Sequence, residues 1–179
     1  SNDGFGIGGL IGLSSNCTIS DSYASSGTVD GYWSIGGLIG DASDSTITNS
    51  YSTMTVGSIV TTGSRVGGFV GSSSSDISNC YATGDVTGDA EVGGFAGGAG
   101  WGDKTISYSY STGLVTGETD TGGFVGNNVW SVSHSYYDSE TSGMSDEGKG
   151  IPTLTEDMKT TSTYIGWDFI DTWDIDGTE

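Results

Sequence analysis

Positive charge is nearly missing from this chain. Arg65, Lys104, Lys149 and Lys159 are its four basic residues, against 23 Asp and Glu, for a formal net charge of −19. Such a field repels phosphate backbones and anionic lipid, so nucleic acid and anionic membrane surfaces are not expected partners. Solubility is the simplest use of this charge, and a salt-rich or calcium-containing surrounding is the sharper reading. Long apolar runs are absent too, so no segment is expected to insert in a membrane. No secretory signal is visible. The chain opens with Ser1-Asn2 almost directly on its first glycine-rich run, which reads as a piece of a longer protein.

Other scarcities exclude chemistry. There is one histidine, one proline and two cysteines in 179 residues. No HExxH, paired CxxC or phosphate loop is present, and the many serines fall at repeated positions, which argues against a Ser-His-Asp arrangement. Hydrophobic residues make up only 33%, and leucine is scarce, which disfavours helices. High charge with modest hydrophobicity would suit disorder, but the apolar residues are regularly placed.

That regularity starts with glycine. Gly67-Gly68-Phe69-Val70-Gly71 recurs as Gly8-Gly9-Leu10-Ile11-Gly12, Gly36-Gly37-Leu38-Ile39-Gly40, Gly93-Gly94-Phe95-Ala96-Gly97 and Gly122-Gly123-Phe124-Val125-Gly126, at intervals of 28, 31, 26 and 29 residues. Periods of this size mark solenoids and arrays. A second line, Ile19-Ser20-Asp21-Ser22-Tyr23, returns at Ile47, Ile77, Ile106 and Val132. A third ends on Val29, Val56, Val86 and Val115. Cys80, Ala82, Gly84 and Val86 share one strand face and fit an interior, while Tyr81, Thr83 and Asp85 share the other. Ile77 is out of phase with Cys80, so a bend is expected at Asp21, Asn49, Asn79, Tyr108 and His134, where Asp and Asn tolerate left-handed backbone.

One unit cannot bury its own apolar face. Stacking the units puts Leu10, Leu38, Phe69, Phe95 and Phe124 in one column, the isoleucines in another, and the tyrosines in an outer ladder. The expected fold is therefore all-β: a right-handed parallel β-solenoid (β-helix) of about five coils, with about three strands per coil. Hairpins forming a sandwich or propeller blade are the alternative, but their turn signals are absent. Cys17 and Cys80 lie two repeats apart, about 9–10 Å along such a stack, which is too far for a disulfide.

Residues 1–136 hold the five-copy array, and residues 137–179 read as a small α+β cap. Within the cap, Thr153–Lys159 reads as a short helix with Thr153 and Glu156 as a capping box and Thr155 as the competing cap. Trp167-Asp168-Phe169 and Trp173-Asp174-Ile175 read as two final strands. An uncapped first coil would leave strand edges open to end-to-end self-association.

The glycine runs, the Ile-Ser-Asn-Cys-Tyr-Ala-Thr-Gly-Asp-Val segment at Ile77–Val86, and the closing Tyr136-Tyr137-Asp138 and Gly166-Trp167-Asp168-Phe169 resemble the GLUG repeat. That family occurs in large secreted and cell-surface proteins of bacteria and archaea, including adhesin-like proteins and non-catalytic regions of some IgA-directed peptidases. The resemblance implies an extracellular structural or adhesive module, a stalk or surface-binding segment, and not an enzyme. It carries over no catalytic residue. The expected partners are surface glycans or a host or cell-surface protein.

Candidate binding residues lie where the repeats differ. Trp101 and Trp130 occupy the same corner of consecutive units, and Trp33 lies in another; exposed indoles stack on sugars or anchor proteins, or simply pack together. Asp85, Asp89 and Glu91 near one corner, and Asp174 with Asp176, are the candidate ligands for Ca2+, although no complete loop motif is present and solvated acidic corners are the plainer reading. Otherwise no cofactor is expected. Asn16 opens an N-x-Thr glycosylation sequon. A polysaccharide-acting β-helix enzyme is the remaining alternative, weakened by acids at irregular positions and few basic residues to hold an acidic sugar.

Overall fold

The computed structural model describes residues 6–59, 64–99, 104–127, 131–146 and 149–175. Its strands form a parallel β-solenoid that the chain winds through four sheets in the same order on each turn. The first sheet stacks Ile7–Gly8, Ser34–Gly36, Arg65–Gly67, Ala90–Gly93 and Thr119–Gly122. The second contains the long strands Ile39–Thr48 and Val70–Ser78, flanked by rungs that contribute two shorter strands each. The third carries Tyr23–Ala24, Tyr51–Ser52, Tyr81–Ala82, Tyr110–Ser111 and Tyr136–Asp138. The fourth stacks Thr28–Gly31, Thr55–Ser58, Val86–Thr87 and Val115–Thr116. There are thus four complete turns and a partial fifth.

The register follows the sequence repeat. Ile35 pairs with Val66 and Val66 with Val92, Ile47 with Ile77 and Ile77 with Ile106, and Val56 with Val86 and Val86 with Val115. The expected three strands per coil become four, and the glycine run is the reason. It is a corner: Arg65–Gly67 ends in one sheet and Val70–Ser78 begins in the next. A Cβ on Gly36, Gly67 or Gly93 would lie 1.9, 2.1 or 2.0 Å from the carbonyl oxygen three residues ahead. These glycines are required for close backbone approach. The left-handed corner lies elsewhere, at the five positions expected for it. Asp21, Asn49, Asn79, Tyr108 and His134 have φ of 50°, 49°, 55°, 48° and 47°.

Phe69, Phe95 and Phe124 stack at 4.8 Å between centroids and are fully buried with Leu38 and the isoleucine column. A valine-rich cluster around Ile35, Val56, Val66 and Val86 forms the rest of the interior. Leu10 departs from its column: on the first rung it is 51% exposed, because among the described residues no rung lies outside it. The inner corner beside the bend is a serine ladder. The amides of Ser22, Cys80 and Ser109 donate to the hydroxyls of Ser50, Ser109 and Ser135, and those hydroxyls donate to the carbonyls of Thr48, Ser107 and Ser133. A hydroxyl can accept and donate at once, so a small polar residue satisfies buried backbone there. Cys80 replaces one member; burial pushes its thiol up to about 12, and it and Cys17 are both free.

The fifth rung is closed by its own continuation. Tyr137 stands where Ser111 stands one rung earlier, pointing inward and fully buried. Its hydroxyl donates to the Asp146 carbonyl at 2.9 Å, while the Asp146 carboxylate accepts the Gly123 amide. Gly150 packs against Phe124. Ile151–Thr153 then adds one more strand to the third sheet, parallel to Tyr136–Asp138. Asp138 caps the short helix Ser139–Ser142, accepting the amides of Glu140 and Thr141.

Two expectations for the C-terminal segment are corrected. Thr153 belongs to a strand and forms no capping box; the helical part shrinks to the 3-10 turn Asp157–Lys159, because the Thr155 hydroxyl is drawn to the Asp138 carboxylate. The Trp167 and Trp173 segments are not strands. Both are drawn by their rings onto the aromatic face of the solenoid.

Candidate functional site

Outward-facing tyrosines of the third sheet build an aromatic wall of stacked rings. Tyr23, Tyr51, Tyr81 and Tyr110 stack at 5.1, 4.7 and 5.0 Å with rings within 7° of parallel. The spacing follows from the rung, since residues paired in parallel register sit one strand spacing apart. Two residues on in each turn, Thr53, Thr83 and Thr112 form a parallel row: their amides bond to Ala24, Ser52 and Ala82 of the preceding rung.

The C-terminal segment returns over this wall. Tyr136 is buried beneath Tyr164 and Trp167, and its hydroxyl accepts the Ile165 amide. Trp167 donates its indole N–H to the His134 carbonyl at 2.9 Å, which fixes its ring beside Tyr110. Asp168 then turns the chain. Its carboxylate accepts the amides of Ile170 and Asp171, which hold its pKa below the usual value, and the Thr172 hydroxyl. The turn brings Trp173 to within 4.4 Å of the Trp167 centroid and 5.7 and 6.3 Å of Tyr110 and Tyr81. Tyr164 donates to the Met158 carbonyl, and burial, with Tyr136 and Asp138 nearby, pushes its phenol up to about 12.

Between wall and returning segment lies a cleft of about 730 Å3. Tyr81, Tyr110 and the threonine row line one side; Trp167, Phe169 and Trp173 line the other; Asp138, Lys159 and Asp174 also reach it. Trp167 and Trp173 pack on Tyr110, so the cleft opens beside these rings, and its mixed aromatic and hydroxyl lining suits a ligand with both apolar and polar surface. Lys159 is already paired with Glu156 at 3.0 Å.

The expected site residues are not gathered into one place. Trp101, Trp130 and Asp176 lie outside the described residues. Trp33 is 46% exposed beside Tyr32, in the corner before Ser34–Gly36. Asp85 accepts the Leu114 amide, so it secures the next rung. Glu91 has a left-handed backbone and pairs with Arg65 at 2.6 Å. Asp89 accepts the amides of Glu118 and Thr119 through its carbonyl. Among the described residues, no group of three or more His, Cys, Asp or Glu could hold a metal ion. Asn16 is exposed at a left-handed bulge, the place Asp44 holds on the next rung. Asp174 does line a site, the aromatic cleft. Reading by repeat position overlooked that cleft, because half of it comes from outside the repeat. The available signal was the run of Trp167, Phe169 and Trp173 after a chain that repeats Tyr23, Tyr51, Tyr81 and Tyr110 on one outward face.

Comparison with known proteins places this geometry in context. Residues 3–30, 31–57 and 62–87 match the sequence profile of the GLUG motif. A protein of Evansella cellulosilytica, provisionally named a Gly-rich membrane protein, is 39% identical over 124 residues, covering 66% of this chain and 12% of that protein. This chain thus spans a small part of that relative's length. A crystal structure of a Bacteroides ovatus protein, provisionally named an immunoglobulin A1 protease, superposes with a TM-score of 0.69 at 25% identity, covering 91% of this chain and 59% of that one. No helix among the described residues is long and apolar enough to cross a membrane.

Proposed function

The chain is built of GLUG repeats, and from that premise we propose that it serves as a structural and adhesive module of a larger secreted or cell-surface protein. The observation that carries this reading is the register. Equivalent residues pair from rung to rung on four sheets, so each added repeat lengthens one continuous rod by about 4.8 Å. A rod of this kind sets distance and presents a repeated side face; the tyrosine wall is such a face. The strongly acidic surface keeps the rod soluble and unattracted to anionic polymers.

The module acts without catalysis. Its histidine is an exposed corner residue stacked on Tyr108 at 5.0 Å, and the buried hydroxyls of Ser109 and Ser135 donate to backbone carbonyls. The protease name of the Bacteroides ovatus protein belongs to a chain of which this one covers 59%.

Microspheres coated with the chain test the reading. Under flow they should be retained on cell or envelope-polysaccharide surfaces more strongly than spheres coated with an acidic protein lacking repeats. Equal retention would reduce the module to a spacer.

A further inference from the structure

We infer that the cleft between the tyrosine wall and the returning C-terminal segment binds a neutral oligosaccharide. The inference rests on the adhesive half of the function proposed above and supplies its ligand class.

The cleft's volume, about 730 Å3, lies within the range of small-ligand sites, and rings of both the tyrosine ladder and the returning segment line it. Tyr81 and Tyr110 stack 5° from parallel at 5.0 Å and turn ring edges outward, and Trp173, packed on Tyr110 at 5.7 Å, extends the aromatic lining. A pyranose ring presents C–H faces that pack on aromatic rings, whose faces carry negative charge. Its edges present hydroxyls. The cleft answers these with the Thr53, Thr83 and Thr112 row and with the carboxylate of Asp174. A purely apolar ligand would leave those polar groups without partners as it displaced water.

Charge narrows the class further. Lys159, the one basic residue lining the cleft among those described, is engaged by Glu156, and two acids share the lining. Uronates, sialylated sugars and phosphates meet repulsion there, so the ligand carries no acidic group. The cleft runs along the repeat axis, with threonines recurring once per rung, which suits a chain of sugars better than a single ring.

The test uses the whole chain with neutral cello-, malto-, manno- and xylo-oligosaccharides, and oligogalacturonate as the anionic control. Binding is followed by intrinsic tryptophan fluorescence and calorimetry. Thr83→Val keeps the shape and removes one hydroxyl; Trp173→Ala removes a wall; Trp33→Ala is the control at a distant exposed indole. At least one neutral oligosaccharide should bind, weakened about tenfold by Thr83→Val and about thirtyfold by Trp173→Ala, with Trp33→Ala unchanged. Equal binding of oligogalacturonate would overturn the inference, as would a ligand insensitive to Thr83→Val and Trp173→Ala. If no oligosaccharide binds while coated microspheres still adhere, the cleft assignment fails and the adhesive reading stands.

Discussion

The ring of Tyr137 rests directly on Gly123: a Cβ on that glycine would come within 2.2 Å of two ring carbons. On the other rungs the inward position of the third sheet holds Ala24, Ser52, Ala82 and Ser111. A large side chain on the last rung fills the end of the interior where a further rung would otherwise stack. Truncation there opens a cavity that the rigid rungs cannot close. Tyr137→Ala should lower the free energy of unfolding by about 3–5 kcal/mol. Tyr137→Phe, which keeps the ring and loses the hydroxyl that donates to Asp146, should cost about 1 kcal/mol. Urea denaturation followed by circular dichroism measures both, and equal effects would contradict the plug.

The corner residues lend themselves to a backbone test. Asn79 has φ of 55° between Ser78 and Cys80, and its amide bonds to the Ser107 carbonyl. Residues with a Cβ and no local polar compensation pay for this geometry. Asn79→Ala should destabilise by about 1 kcal/mol and Asn79→Gly by less, with no loss of β content. Thermal melts of the two variants decide it.

Asp41 gives the chain a pH signature. It lies on a rung between Leu13 and Ser72, and burial raises its pKa above 3.8 despite opposition from Arg65 and from bonds to Ser43 and Ser72. A carboxyl with a raised folded pKa contributes stability that is complete below its unfolded pKa and is lost as pH rises through the folded value. Asn at this position does not titrate. Asp41→Asn should therefore gain on the unsubstituted chain between about pH 3 and about pH 7. Melting curves at both values show it, and a gap that narrows toward neutral pH would contradict the assignment.

Much of the solenoid could be read from sequence because each rung repeats the same local demand. Glycine appears where backbone carbonyls crowd Gly36, Gly67 and Gly93, and Asp or Asn where φ turns positive at Asp21, Asn49 and Asn79. Serine appears where the buried amides of Ser22, Cys80 and Ser109 need an acceptor. Periodicity multiplies each signal. It does not reveal that the glycine run bends the chain into a fourth sheet, since close approach depends on the neighbouring rung. The cleft was less legible still. Trp173 meets Tyr81 only through the turn at Asp168, and a single non-repeated segment offers no second copy against which to align it.

The central claim is that these repeats stack in register as interchangeable rungs, and a deletion tests it most directly. Gly36 pairs with Gly67, so removing residues 36–66 joins Ile35 to Gly67 and takes out one turn with every column preserved. Removing residues 36–52 instead joins Ile35 of the first sheet to Thr53, just past the third-sheet strand, and puts the columns out of step. Thermal unfolding followed by circular dichroism should show a β-rich, cooperative transition for the first deletion and its loss for the second. Loss of the transition in both would contradict the account.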